Sequence, residues 1–416
     1  MGVEDPNNLN RPANNAGIPA TNPASEQNPT VGTDEYNSAF DESLARTLDL
    51  DTWDLGENLP NLYSRLEREI EEAVEQEDRV RNRIRDEVFP RLRTRPNAPP
   101  AAGQYQATPE LIAKVHNNYL FTGDVEACDG TIALHDTLPI TIAQIGVCLV
   151  SYRGDQGSWL HRLFRRDLRA SGLDPVDEAL ELLERRRDRG ATGEPSRKDK
   201  LSSLLSRGIM TYAERAVLLK RSTAKWRMGH GNPVAYELLT GSGNSDLLRQ
   251  SLILLDELIF NHKRFIFVPS STADRTLLTL GAALRPLEYL VYDDMCEKMG
   301  DIAKGNYRGE SWKGLADQVK TFADEAGRKV LIGAYRASLF SPPQVFYAHA
   351  DHVHEAALIA MADSALQEHR GFPMLIDLAD TVCSSTFGAS TLEMAAMVAY
   401  RDAESAFTHL PERSTR

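Results

Sequence analysis

The chain lacks any run of 18 apolar residues, so no membrane-spanning helix is expected from it. A basic stretch leading into an apolar one is also missing from the first residues, MGVEDPNNLN, which do not read as a secretory signal. Val3, Glu4, Asp5 and Pro6 after Met1-Gly2 fit a myristoylation site poorly, and a cytoplasmic protein is expected. Cysteine is scarce. Cys128, Cys148, Cys296 and Cys383 lie far apart with no CxxC pair, which argues against a structural zinc site or a disulfide framework. They read as buried thiols of a reducing compartment. The phosphate-binding pattern GxxxxGK followed by Ser or Thr is absent, as are GxGxxG and GxSxG, and Gly241-Ser242-Gly243 is too short to replace them.

Basic charge is in deficit, with a net charge of −13 over 416 residues, but the deficit is localised. Residues 1–57 hold 11 acids and 2 bases, whereas residues 162–227 hold 17 bases and 10 acids. The body therefore carries a basic island able to meet phosphates, or else a solvated helix surface, since arginines and acids interleave there. Residues 1–35, rich in Asn, Pro, Ala, Gly and Thr, offer little to bury and read as disordered. Phe40, Leu44, Leu48 and Trp53 stand as apolar anchors in the acidic tail, suited to docking on a basic groove.

What is present is an alternation of helices and strands. Residues 58–95 carry a narrow apolar stripe, Leu62, Leu66, Ile70, Val74, Val80, Ile84 and Val88, and form an N-terminal helical arm of the kind that packs on a partner helix. Pro96 to Pro100 break the pattern. The expected organisation is a tail over 1–57, the arm and linker over 58–100, and an α/β domain over 101–416 with a helical insertion at about 159–227. Strands are expected up to Asp129, at 140–152, at Phe265–Val268, at Tyr289–Asp294, at Val330–Tyr335 and at Gln344–Ala348. Helices fill the intervals, and together they give one mixed sheet flanked by helices.

Several acids fall at the ends or first turns of these elements. Asp129-Gly130-Thr131 closes an apolar stretch. Glu237 opens a helix after a Gly-His-Gly-Asn turn, Asp293 and Asp294 end a later strand, and Asp380 lies in the helix that follows Pro373. Brought together, such carboxylates form a hard oxygen site for Mg²⁺ or Mn²⁺, able to serve phosphodiester hydrolysis. Each acid also has an ordinary reading: a turn residue for Asp129, a first-turn helix acid for Glu237, loop acids for Asp293 and Asp294, and a cap or arginine partner for Asp380. The histidines of His349-Ala350-Asp351-His352-Val353-His354 resemble a transition-metal set, but their spacing does not share a helix face, and a polar loop is expected.

The layout resembles the NurA nuclease family over roughly residues 120–400. The resemblance rests on Asp129-Gly130-Thr131 (Asp-Gly-Ser in the family), the helix with Glu237, and VLIGAY followed by Arg336-Ala337-Ser338. It extends to Gly371-Phe372-Pro373 running into Leu378-Ala379-Asp380, where the family reads Gly-Tyr-Pro and then Leu-x-x-Ala-His. It implies an RNase H-like fold and a metal-dependent DNA nuclease. The protein would act as a homodimer on a HerA-like hexameric ATPase, in DNA repair or antiviral defence. Asp129, Glu237, Asp294 and Asp380 would hold Mn²⁺ or Mg²⁺, with Asp293 as the alternative to Asp294. Phe372 and Asp380 depart from the family's Tyr and His, so a catalytically inactive adaptor of the ATPase is the alternative. A third reading is an unrelated α/β interaction protein with a helical dimerisation arm.

Overall fold

The apolar run from Thr141 to Ser151 forms a strand buried along nearly its whole length, and the fold is built outward from it. In the computed structural model, residues 33–53, 56–137, 140–165, 203–271, 274–304 and 314–407 are described, with the single positions 176, 180, 183 and 312. The expected tail therefore lies largely outside the described residues, as does most of the stretch from 166 to 202.

The chain divides into two compact units, Met1–Glu75 and Gln76–Arg416. In the first, Ser43 caps a short helix by accepting a hydrogen bond from the Arg46 amide at 3.3 Å, and the Tyr36 and Thr47 hydroxyls meet at 2.9 Å. Its helices are α1 (Thr33–Phe40), α2 (Leu44–Thr47) and the start of α3 (Leu59–Arg83). Leu66, Ile70 and Val74 of α3 are exposed, so this part of the apolar stripe has no cover among the described residues of its own unit.

The second unit is a nine-stranded mixed sheet in the order β1-β7-β8-β9-β6-β5-β2-β3-β4. The strands are β1 (Gly103–Gln106), β2 (Val125–Asp136), β3 (Thr141–Ser151), β4 (Gly154–Arg165), β5 (Trp226–His230), β6 (Phe265–Val268), β7 (Glu288–Asp294), β8 (Val330–Arg336) and β9 (Gln344–His349). β2, β5 and β6 run parallel in the middle, and the remaining pairings are antiparallel. The helices are α4 (Pro109–Val115), α5 (Ser203–Lys220), α6 (Tyr236–Leu239), α7 (Ser245–Asp256), α8 (Arg275–Ala282), α9 (Cys296–Ala303), α10 (Leu315–Gly327), α11 (Val353–Ala365), α12 (Met374–Phe387) and α13 (Ala389–Asp402).

Period-2 alternation sends neighbouring residues of β2 to opposite faces. Val125 and Ala127 join a core with α4, α11 and α12, while Cys128 joins one with α5, α6 and α10. Helices thus cover both faces.

Three expectations need correction. Asp129 does not end its strand, since β2 runs on to Asp136 as the antiparallel partner of β3. What ends there is the parallel neighbour β5, whose register with β2 closes at Cys128↔Gly229. The stretch from 159 is not helical at its start, because residues 154–165 form β4, the hairpin partner of β3. The stretch before 227 also contains β5. Its Arg227 is buried, with Nη2 donating to the Ser222 carbonyl at 2.9 Å, so a charged residue sits where apolar ones were sought.

Candidate active site

Asp129 lies where β5 stops, at the carboxyl end of the parallel strands, the usual place for a ligand in an α/β sheet. Its side chain is 6 % exposed, and one oxygen accepts a hydrogen bond from the Gly130 amide at 2.9 Å. His230 closes β5 beside it, with Nδ1 3.8 Å from Asp129 Oδ1. Glu214 reaches the same place from α5. A Cβ on Gly130 would sit 2.7 Å from Glu214 Oε1, so the glycine is what admits this carboxylate to the strand. Glu214 is as buried as Asp129.

Burial sets the electrostatics. It pushes the Asp129 carboxyl up to about 8, with the charges of Glu214 and then Asp380 adding to the rise and the Gly130 amide and Arg215 opposing it. Burial also raises Glu214. The adjacent Arg215 guanidinium opposes this most, and the charge of Glu237 adds to it. Arg215 is itself buried and donates to Glu214 and to the Asn232 carbonyl, the latter at 2.7 Å, while its guanidinium stacks 5.1 Å from the Phe267 ring centre. His230 is held below its usual value by burial and by Arg215, against the pull of Asp380 and Asp377. Phe372 packs edge-on to His230 with ring centres 6.1 Å apart.

Asp129, Glu237 and Asp380 thus fall within one electrostatic neighbourhood. Glu237 stands in the first turn of α6, 3.9 Å from Arg207, and Asp380 is exposed on α12. Asp293 and Asp294 are not part of it. Four strands separate β7 from β2, which at the usual strand spacing places these acids roughly 24 Å away. Asp293 there takes Arg95 at 3.0 Å, and Asp294 caps Cys296 by accepting its amide at 2.9 Å, beside a cavity of about 710 Å³. The histidines from 349 to 354 are dispersed as well. His349 accepts the Asp351 amide at 3.0 Å, His352 faces Glu355 at 3.3 Å, and His354 meets the Tyr289 hydroxyl at 3.1 Å.

Glu214, Arg215 and His230 are the residues that sequence reasoning missed. The available signal was Glu214-Arg215 between Ala213 and Ala216-Val217-Leu218, a charged pair inside an apolar helical run. Among the described residues, no three His, Cys, Asp or Glu side chains enclose a metal position by themselves. The donor chemistry nevertheless fits a hard divalent cation. Two buried carboxyls repel each other, and Mg²⁺ commonly takes one or two carboxylates and completes its shell with water and substrate phosphate.

No protein-family model matches the chain, and no curated protein matches it. In structure it is similar to the NurA nuclease from Sulfolobus solfataricus, with 10% identity and a TM-score of 0.40 over 84% of this chain and 99% of that one. It is also similar to a NurA structure with manganese, with 8% identity and a TM-score of 0.37 over 66% and 92% of the two chains. A third similar structure is Ciona intestinalis Endonuclease V bound to DNA containing an inosine, with 12% identity and a TM-score of 0.26 over 67% and 93% of the two chains.

Proposed function

We propose that the chain is a metal-dependent deoxyribonuclease subunit of NurA type with an RNase H-like site, hydrolysing phosphodiesters with Mn²⁺ or Mg²⁺. The observation that carries this is the meeting of two buried, mutually repelling carboxyls, Asp129 and Glu214, at the one strand position opened by Gly130. Burial of two acids side by side works against stability, and such an arrangement is kept where a cation is to be held. Asp129 and Glu214 would hold the ion, with Glu237 and Asp380 adding negative field. A bound divalent ion would supply activation of water and stabilisation of the leaving oxygen. Arg215 fixes the Glu214 carboxylate with one guanidinium nitrogen while the other donates to the His230 and Asn232 carbonyls. Arg207 is more than half exposed beside Glu237 and is placed to meet a phosphate. The test is cleavage of linear DNA by the purified chain with Mn²⁺ or Mg²⁺, comparing wild type with Asp129→Asn and Glu214→Gln.

A second reading, a catalytically inactive adaptor of a hexameric ATPase, is favoured by the direct pairing of Glu214 with Arg215, which already neutralises one carboxylate. Wild-type chain inactive on DNA both alone and with a HerA-like ATPase would select it. DNA, a HerA-like ATPase and a second copy of the chain are the proposed partners. The exposed stripe of α3 is the proposed surface for homodimer formation, and replacing Leu66, Ile70 and Val74 by Ser is expected to give a monomer in light scattering.

A further inference from the structure

Cys148 and Cys383 are 235 positions apart in sequence, yet the packing of α12 on β3 sets them against each other. The helix descends the strand in step. Four helical residues advance about 6 Å and two strand residues about 6.7 Å, so contacts repeat together along both elements. At the lower end, Gly146 lets Phe387 in so closely that a Cβ on the glycine would lie 2.5 Å from Phe387 Cβ. The Gln144 side chain donates to the Phe387 carbonyl there at 2.8 Å. At the upper end, Tyr152 and the Leu375 amide both bond to the buried Asp363. Val150 and Ala379 share a core between these points. The remaining step sets the Cys383 thiol beside Cys148, both of them buried.

Cys128 is excluded from this contact by the pleat. It pairs with Leu149 and faces the opposite core. Both thiols are buried, and the Cys148 sulfur also meets the hydroxyl of Ser158, 3.2 Å away on the edge strand β4, where Ser158 is exposed. Disulfides need Cβ atoms about 3.8 Å apart, and the close approach that Gly146 allows Phe387 one helical turn away draws α12 down onto β3.

We propose that Cys148 and Cys383 form an oxidative modification site, a dithiol that a peroxide converts to a disulfide clamping α12 to β3. The Cys148 sulfur attacks the peroxide O–O bond, becomes a sulfenic acid and releases water. The Cys383 sulfur then attacks the sulfenic sulfur, the S–S bond forms, and a second water leaves with both thiol protons accounted for. The two thiols lose two electrons and the peroxide gains them. A thiol reductant reverses the step. The clamp sits across the strand pair Asp129↔Cys148, so it fixes the helix that carries Asp377 and Asp380 over the candidate site.

The test uses the full chain, reduced, then treated with hydrogen peroxide and alkylated, with peptide mapping by mass spectrometry. The expected product is a Cys148–Cys383 linked peptide that disappears on reduction, with Cys128 and Cys296 still alkylated and amide exchange over residues 374–387 slowed. In Cys383→Ser the cross-link is expected to be lost and a sulfenic acid at Cys148 to be trapped by a dimedone probe. Both thiols remaining alkylatable at a dose that oxidises the more exposed Cys296, or a link formed through Cys128, would overturn the proposal. The mass readout stands apart from nuclease activity, so failure of one reading leaves the other unaffected.

Discussion

Replacing Asp129 by Asn is expected to stabilise the metal-free protein at alkaline pH while removing its response to divalent ions. The folded carboxyl titrates at about 8, whereas an unfolded Asp titrates near 3.9. Between these values the folded state binds the proton more tightly. The stability contributed by this proton is therefore full below about pH 4 and is lost as pH rises towards 8. A span of about four units at 1.36 kcal/mol each sets an upper bound of roughly 5 kcal/mol, and roughly 3 kcal/mol is the expectation once Glu214 shares the proton. Urea denaturation of wild type and Asp129→Asn across the acid-to-alkaline range reads this directly. The wild-type minus variant difference should be near zero at acid pH, where the carboxyl is protonated, and become steadily more negative between about pH 4 and about pH 8. On the proposed function Mn²⁺ would displace the proton, so it should restore stability to wild type alone, by about 2.7 kcal/mol at a hundredfold excess over Kd. Parallel pH curves for the two proteins, or equal Mn²⁺ stabilisation of both, would refute the reasoning.

Gly130→Ala places a methyl 2.7 Å from Glu214 Oε1, so Glu214 must move; cleavage should drop by about a hundredfold or more with the far-ultraviolet circular dichroism unchanged. Asp363, fully buried between Tyr152 and the Leu375 amide, is pushed up to about 7 by burial. Its proton therefore stabilises the fold below about pH 4 and this is lost as pH rises through 7, so Asp363→Asn should flatten the pH dependence of Tm. Asp293→Ala should leave cleavage within about twofold of wild type, measured on the same DNA substrate, because it breaks the pairing with Arg95 and the bond from the Asp294 amide, four strands away from Asp129.

Legibility followed locality. The strand from Thr141 to Ser151 and the helix after Pro373 announce themselves through apolar content and a helix breaker, and both appear where expected. Asp293 and Asp294 looked like site residues because a strand-end acid is a local pattern, while strand order is not local. The chain inserts β8, β9, β6 and β5 between them and Asp129. β5 was hidden because WRMGH mixes polar and apolar residues and buries an arginine through backbone carbonyls. Glu214 was hidden for a related reason. α5 is buried on more than one side, so its charged pair does not fall on a visible polar stripe. The pairing of Cys148 with Cys383 depends on helix-on-sheet register, which no spacing in the chain reveals.

Asp129 and Glu214 are proposed to hold together the divalent ion that serves DNA cleavage. The most direct test of this proposal is DNA cleavage with Mn²⁺ by wild type, Asp129→Asn, Glu214→Gln and Asp293→Asn in parallel. Activity is expected in wild type and Asp293→Asn, with a loss of about a hundredfold or more in each of the other two. Undiminished cleavage by Asp129→Asn or Glu214→Gln, or loss in Asp293→Asn alone, would contradict the proposal.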